Sequence, residues 1–326
     1  MKICVYGAGA IGGHLASRFH RGGAEVSIVA RGAHLAAIRA NGLTVHAVDG
    51  EHNVRLPATE HPAELGPQDA VIVTVKAPAL PQIAAGIGPL LGPDTAVAFV
   101  MNGIPWWYCD SLPGPLNGRT LPRIDPDDVL RKALGPGRAI GGVVYSASAV
   151  VEPGVIEVEQ PNSRVFLGEP DGSMSDRVVA LAGLLTKGGI SGIATPAIRT
   201  ELWNKLIGNL AGGTLAVLSG CAPQTVYTEA AGVKTSLAAM AEAVAIARAL
   251  GADPSTDNAA RIKSQGGMAH KPSILQDLEA GRPMEVDGMF EAPLALARMA
   301  GVETPVLDML VALAKLRSES AGLYRR

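Results

Sequence analysis

Three groups of residues in this 326-residue chain have the types and spacing that chemistry needs. The first is Gly7-Ala8-Gly9-Ala10-Ile11-Gly12, a Gly-x-Gly-x-x-Gly turn. It follows a short apolar run directly and precedes a helix-like stretch, the order of a turn that cradles a dinucleotide pyrophosphate. Gly7 permits the tight turn, Gly9 lets the backbone approach the phosphates, and Gly12 lets helix and strand pack closely. The N–H groups at the helix start then face the anion.

Arg31 belongs with this turn. At the end of a second strand, an acid would bond the ribose hydroxyls of NAD and repel a 2′-phosphate. Here the sequence is Val29-Ala30-Arg31-Gly32, with no acid. A guanidinium can pair with the phosphate and stack on adenine, which points to NADPH/NADP+; an ordinary surface arginine is the other reading.

The second group is Lys205 and Asn209. Four residues apart, they share one helix face in an otherwise apolar segment. A lysine desolvated there has a lowered pKa and can deliver a proton near neutrality. A lysine snorkelling to water beside a surface asparagine fits the same spacing. The third group is Ser273 and Glu285. Ser273 with Gln276 reads as a helix capping box, and a helix start also receives carboxylates. Glu285 follows a proline and can serve a site or a helix dipole.

Elements must position these groups. The glycine turn, a helix over residues 14–21 and a strand over 25–30 complete β-α-β in about thirty residues. Residues 70–75 and 95–100 read as buried parallel strands, ending at Lys76 and Asn102. Ligands collect at such carboxyl ends, so Lys76 and Asn102 are expected to line the cofactor and substrate cleft. Residues 104–134 form a long irregular connection carrying Trp106, Trp107 and Tyr108, as a mobile lid or as a flap that buries its own aromatics. Residues 141–167 alternate short β-like runs with turns, able to extend the sheet. A helix over 173–187 and a strand over 190–194 follow. Beyond Pro196 the pattern is helical: residues 198–212, 233–250, 284–299 and 305–318. The expected fold is therefore α/β: an N-terminal Rossmann-type dinucleotide-binding domain over 1–195 and an all-helical substrate and catalytic domain over 196–326.

Composition narrows the class. A net charge of −2 gives no sign of a nucleic-acid or acidic-lipid partner. The three cysteines form no CxxC pair, and the seven histidines form no HxH or HExxH pattern, so neither a disulfide framework nor a metal is expected. The apolar residues 206–218 are too few to span a bilayer. A soluble cytoplasmic protein is expected, with a homodimer left open.

The chain resembles the ketopantoate reductases (2-dehydropantoate 2-reductases). The likeness lies in GAGAIG at 7–12, Val75-Lys76-Ala77, Asn102-Gly103, Trp-x-Lys-Leu-x-x-Asn at 203–209, and Ser-x-Leu-Gln-Asp-Leu-Glu-Ala-Gly-Arg-Pro-x-Glu-x-Asp at 273–287. The resemblance implies NADPH-dependent reduction of a 2-keto acid, in the best-known case ketopantoate to pantoate on the route to pantothenate and coenzyme A. It makes Lys205 the proton donor and Glu285 the residue that holds Lys205 or substrate. It gives Asn209 and Ser273 to the substrate, Lys76 and Asn102 to the cleft, and Arg31 to the 2′-phosphate. A related reductase acting on another 2-keto acid or an opine-type substrate, and an NADPH-binding sensor without turnover, share these features. The sequence departs from the family pattern at Gly213, where a second asparagine is common, and in the length of the 104–134 connection. Both changes are expected to reshape the pocket for another keto acid.

Overall fold

In the computed structural model, residues 1–159, 161–267 and 269–325 are described. Twelve strands occur in order: β1 (Lys2–Tyr6), β2 (Glu25–Val29), β3 (Leu43–Ala47), β4 (Gly50–Val54), β5 (Ala58–Thr59), β6 (Gln68–Val73), β7 (Leu91–Val100), β8 (Ala139–Tyr145), β9 (Ser148–Glu152), β10 (Val155–Val158), β11 (Arg164–Gly168) and β12 (Ser191–Ala194). The helices used below are α1 (Ala10–Arg21), α2 (Gly32–Asn41), α3 (Leu80–Gly86), α4 (Val129–Leu134), α5 (Asp176–Lys187), α6 (Ile198–Ser219), α7 (Pro223–Val226), α8 (Ala230–Ala249), α9 (Asn258–Gly266), α10 (Ser273–Glu279), α11 (Ala292–Ala300) and α12 (Pro305–Ser320).

The chain folds into two compact units. The N-terminal unit comprises Met1–Met101, Pro105–Ser111 and Asp125–Ile198. Its eight-stranded sheet runs β12-β11-β8-β7-β6-β1-β2-β5. Strands β5, β2, β1, β6, β7 and β8 are mutually parallel, and β11 is antiparallel to β8. Ile3, Cys4, Val5 and Ala70, Val71, Ile72, Val73 are all buried, which is why β1 and β6 read as unbroken apolar runs. The strand order reverses between β1 and β6, the topological switch point where open α/β sheets bind ligands.

The segment 141–167 divides between two sheets. β8 and β11 extend the main sheet, whereas β9 and β10 join β3 and β4 in a second sheet ordered β4-β3-β10-β9. Arg18 fastens β3 and β4 to α1. Its buried guanidinium bonds both oxygens of Asp49, at 2.6 and 2.7 Å, from the turn between them.

Trp106, Trp107 and Tyr108 are fully buried here, so no aromatic lid forms. Trp106 meets Phe99 edge-on, with centroids 5.7 Å apart, and Arg131 of α4 stacks on its ring while bonding Asp110. These aromatics are core material, in line with the second reading of the 104–134 connection, a segment that buries its own aromatics.

The helical unit comprises Arg199–Arg326 together with Asn102–Ile104 and Leu112–Ile124. Here α8 packs against α9, α11 and α12. Helix α6 continues to Ser219 instead of stopping at Gly212. Gly212 and Gly213 sit in its buried interior, where Gln265 and Tyr227 approach one and Ile274 and Phe290 the other. The expected helix over 284–299 begins as a π-helical turn, Asp287–Glu291, running into α11.

Candidate active site

In the N-terminal unit the first group of residues forms the wall of a cleft. Gly7 has φ +101°, a conformation that side chains other than glycine rarely adopt. Its carbonyl accepts a 2.6 Å bond from Thr74 Oγ1, which ties the turn to the end of β6. A Cβ at Gly12 would collide with that carbonyl and with Thr74 Oγ1; a Cβ at Gly9 would meet nothing within 4 Å. Gly9 is the N-cap of α1, which has no side-chain cap and no acid in its first turn. The helix start is left with open N–H donors and an open approach, which suits a phosphate.

His34 holds the turn from behind. Its Nδ1 accepts from Gly154 N–H at 2.9 Å, so its Nε2 carries the proton and donates to the Ala8 carbonyl at 2.6 Å. The cleft in front of the turn has a volume of about 680 Å³. Gly7, Ala8 and Gly9 line it with Ala30, Arg31, Val75 and Ile83, and residues 150–153 of the second sheet add a further wall. Volume, glycine cradle and uncapped helix together fit a dinucleotide.

In the helical unit Lys205 lies on α6, and its Nζ donates to Asn102 Oδ1 at 2.7 Å. Desolvation of the ammonium lowers its pKa to about 8, against the opposing pull of the Glu285 charge. Glu285 is buried, immediately before the helix that begins at Val286. Asn102 is held by its neighbour's close approach. Gly103, at φ +83°, packs so tightly against Gly288 that a Cβ there would lie 2.5 Å from the Gly288 oxygen, and Ile104 N–H donates to that same oxygen at 2.9 Å. Thus a lysine with a depressed pKa, an amide oxygen that fixes its head and a buried carboxylate belong to one unit. That set can deliver a proton to a developing alkoxide.

Comparison with known proteins shows the family. The chain matches ketopantoate reductase PanE/ApbA over residues 3–172 and the ketopantoate reductase PanE/ApbA C-terminal domain over residues 197–318. The chain belongs to the ketopantoate reductase family. The 2-dehydropantoate 2-reductase of Mesorhizobium japonicum is 41% identical, over 99% of this chain and 100% of that protein. A crystal structure of a Ralstonia solanacearum protein assigned as a ketopantoate reductase superposes with a TM-score of 0.92 at 38% identity, covering 99% of each chain. That of 2-dehydropantoate 2-reductase from Methylococcus capsulatus gives 0.83 at 28% identity, covering 98% of each chain.

Within this ketopantoate reductase family member, the sequence-marked residues fall as follows. Gly7, Ala8, Gly9 and Arg31 line the cleft; Ala10, Ile11 and Gly12 form the first turn of α1 behind them. Lys76 is exposed one residue beyond Val75, itself a lining residue. Asn102 joins Lys205 instead of the cleft lining. Asn209 lies half-buried one turn beyond Lys205. Ser273 is exposed at the start of α10, beside Ile274, which approaches Gly213 of α6.

The capping-box reading of Ser273 is corrected. Pro272 is the N-cap, its carbonyl accepting from Leu275 and Gln276 N–H, and Ser273 is the first helical residue with no capping bond. A proline N-cap has no N–H for Gln276 to receive, so the Gln276 amide donates to the Lys271 carbonyl at 2.8 Å instead. The hydroxyl of Ser273 is therefore not committed to the helix end. Sequence reasoning missed Thr74, which braces the glycine turn, and two polar residues that line the cleft, His34 and Gln82, the last accepting a 3.0 Å bond from Arg31. Only Thr74, at a strand end, carried a positional signal. His34 and Gln82 are recognisable only once helices α2 and α3 are placed. Among the described residues no cluster of metal-ligating side chains occurs.

Proposed function

We propose that this chain reduces 2-dehydropantoate to pantoate with NADPH as reductant. The observation that carries the reading is the desolvated Lys205 ammonium, fixed by Asn102 and supported by the charge of buried Glu285. The Mesorhizobium japonicum relative, at 41% identity, bears that activity in its name. When bound, NADPH supplies the hydride. The glycine turn and the α1 N-terminus would hold its pyrophosphate, and Arg31 its 2′-phosphate.

Lys205 Nζ donates its proton to the oxygen of the reduced carbonyl. Asn102 Oδ1 fixes the direction of that ammonium, and Glu285 keeps it charged against desolvation. Asn209, on the same face of α6, reads the substrate hydroxyl region, and Ser273 receives its carboxylate. On this reading the N-terminal unit binds cofactor and the helical unit binds substrate. The enzyme works in the cytoplasm on a small keto acid, without nucleic acid or membrane partner. Among the described residues one helix, Ala230–Ala249, is long and apolar enough to cross a bilayer by length and composition; it is α8, which packs against α9, α11 and α12.

A second reading rests on Gly213. A Cβ there would meet Ile274 and the Phe290 ring in ordinary contact, at 3.4 to 3.6 Å, so the surroundings of Gly213 are apolar. That favours a keto acid with one fewer polar contact. Steady-state kinetics on a keto-acid panel with NADPH decides between them. 2-Dehydropantoate as the best substrate supports the first reading; a clear preference for a less polar keto acid replaces it with the second.

A further inference from the structure

The proposal of NADPH as reductant leaves open how a single exposed arginine selects it. Among the described residues three formally charged side chains line the cleft: Arg31, Glu60 and Glu152. A 2′-phosphate entering beside two carboxylates needs more than one flexible guanidinium. An unheld arginine also loses considerable rotamer freedom when it orders around a ligand.

Gln82, on α3 across the cleft from α2, supplies what is missing. Arg31 NH1 donates to Gln82 Oε1 at 3.0 Å, and both residues line the cleft. A guanidinium has no acceptor, so the bond fixes which end of the amide faces Arg31. The oxygen is spent on the arginine, and the Nε2 protons remain to donate. Arg31 is also the N-cap of α2, a ten-residue helix with no side-chain cap and no acid in its first turn, whose Ala33 lines the same cleft. The guanidinium, the amide N–H groups and the helix start are thus three donor sets at one end of the cleft.

We propose that Gln82 is a specificity-determining residue for the 2′-phosphate. Its Oε1 pre-orients Arg31 and its Nε2 donates to the phosphate, so NADPH is chosen by the pair and not by Arg31 alone. The inference rests on Arg31 meeting that phosphate, and its test separates the two.

The test is calorimetric titration of the whole chain with 2′-phospho-ADP-ribose and with ADP-ribose, which needs no turnover. The ratio of the two dissociation constants is the readout, and ADP-ribose affinity serves as the control for an intact cleft. Arg31→Ala is the reference and should lose most of the preference for the phosphorylated ligand. Gln82→Ala should lower the preference about tenfold, the weight of one charge-assisted hydrogen bond, with ADP-ribose binding unchanged. Gln82→Glu should lower it further, because a carboxylate both pairs with Arg31 and repels the phosphate. Wild-type ratios in both Gln82 variants, with the Arg31→Ala ratio lost, overturn the role of Gln82 alone. Equal weakening of both ligands in the Gln82 variants assigns the residue to cleft shape and also overturns it. An unchanged ratio in Arg31→Ala refutes the phosphate contact itself and the inference with it.

Discussion

Replacing Glu285 by glutamine tests the proton-donor assignment more sharply than removing the lysine. Lys205 has a pKa of about 8 because desolvation lowers it while Glu285 raises it. The donor must be protonated, so the reduction rate should be flat at low pH and fall as pH rises through that value. Between pH 7 and pH 9 the protonated fraction drops from about nine-tenths to about one-tenth, a roughly tenfold loss of kcat. Glu285→Gln keeps the shape and deletes the charge. The opposing pull disappears, and the pKa should fall by about one unit, at the low end of what a neighbouring opposite charge does. The descending limb then moves toward about pH 7, and the variant is impaired at pH 8 but close to wild type at pH 6. The assay is kcat at saturating NADPH and 2-dehydropantoate from pH 5.5 to 10, followed by NADPH absorbance. A wild-type kcat that stays level to pH 9.5, or a limb unmoved in Glu285→Gln, would refute the reasoning.

Further outcomes follow from the same geometry. Lys205→Ala should reduce kcat at least a hundredfold, the usual weight of a general acid, with NADPH affinity by fluorescence titration unchanged. Arg31→Ala should lose about ten- to a hundredfold of the NADPH-over-NADH preference in kcat/KM, as for a charged hydrogen bond removed. Asp49→Ala leaves the buried Arg18 guanidinium without its carboxylate and should cost about 1 kcal/mol in chemical denaturation, since the Asp49 end of the pair is 39% exposed and screened by water. The Asp49 carboxyl is held well below its ordinary range, chiefly by Arg18. Its stabilisation should therefore be complete above about pH 4 and be lost only as pH falls toward the depressed folded value. Gly213→Ala should leave Tm level or raise it slightly, since the added methyl meets ordinary contacts and the helix gains about 1 kcal/mol of propensity. Gly213→Asn runs its amide into Phe290 and Ile274 and should lower Tm instead.

Much of this was legible in the chain itself, for physical reasons. The glycine turn is read because backbone conformation and close approach admit no other residue there, as Gly7 and Gly12 show. β1, β6 and β7 are read because strands covered on both faces are continuously apolar. The hairpin of β3 and β4 carries no such run. Its segments are short and polar, and they are held by Arg18 and Asp49, thirty-one residues apart. Trp106, Trp107 and Tyr108 could be read either as a lid or as a flap that buries its own aromatics, because composition reports aromatic content but not what covers it; the structure has the buried form. Ser273 was misassigned because the capping pattern ignores what precedes it: Pro272 takes the cap itself. The bond from Lys205 to Asn102 spans 103 positions, and no periodicity encodes a pairing at that distance.

The composition of the helical unit limits how the protein can be divided. Asn102–Ile104 and Leu112–Ile124 belong to that unit although they lie in the first half of the chain. A fragment beginning at Arg199 would contain Lys205, Asn209, Ser273 and Glu285, yet lack the oxygen that orients the lysine and the glycine that packs on Gly288. Recombining halves from two relatives at the obvious boundary would accordingly exchange a partner of Lys205 without exchanging Lys205. A chimera that is to keep its proton donor in register must carry residues 102–104 and 112–124 with the C-terminal donor.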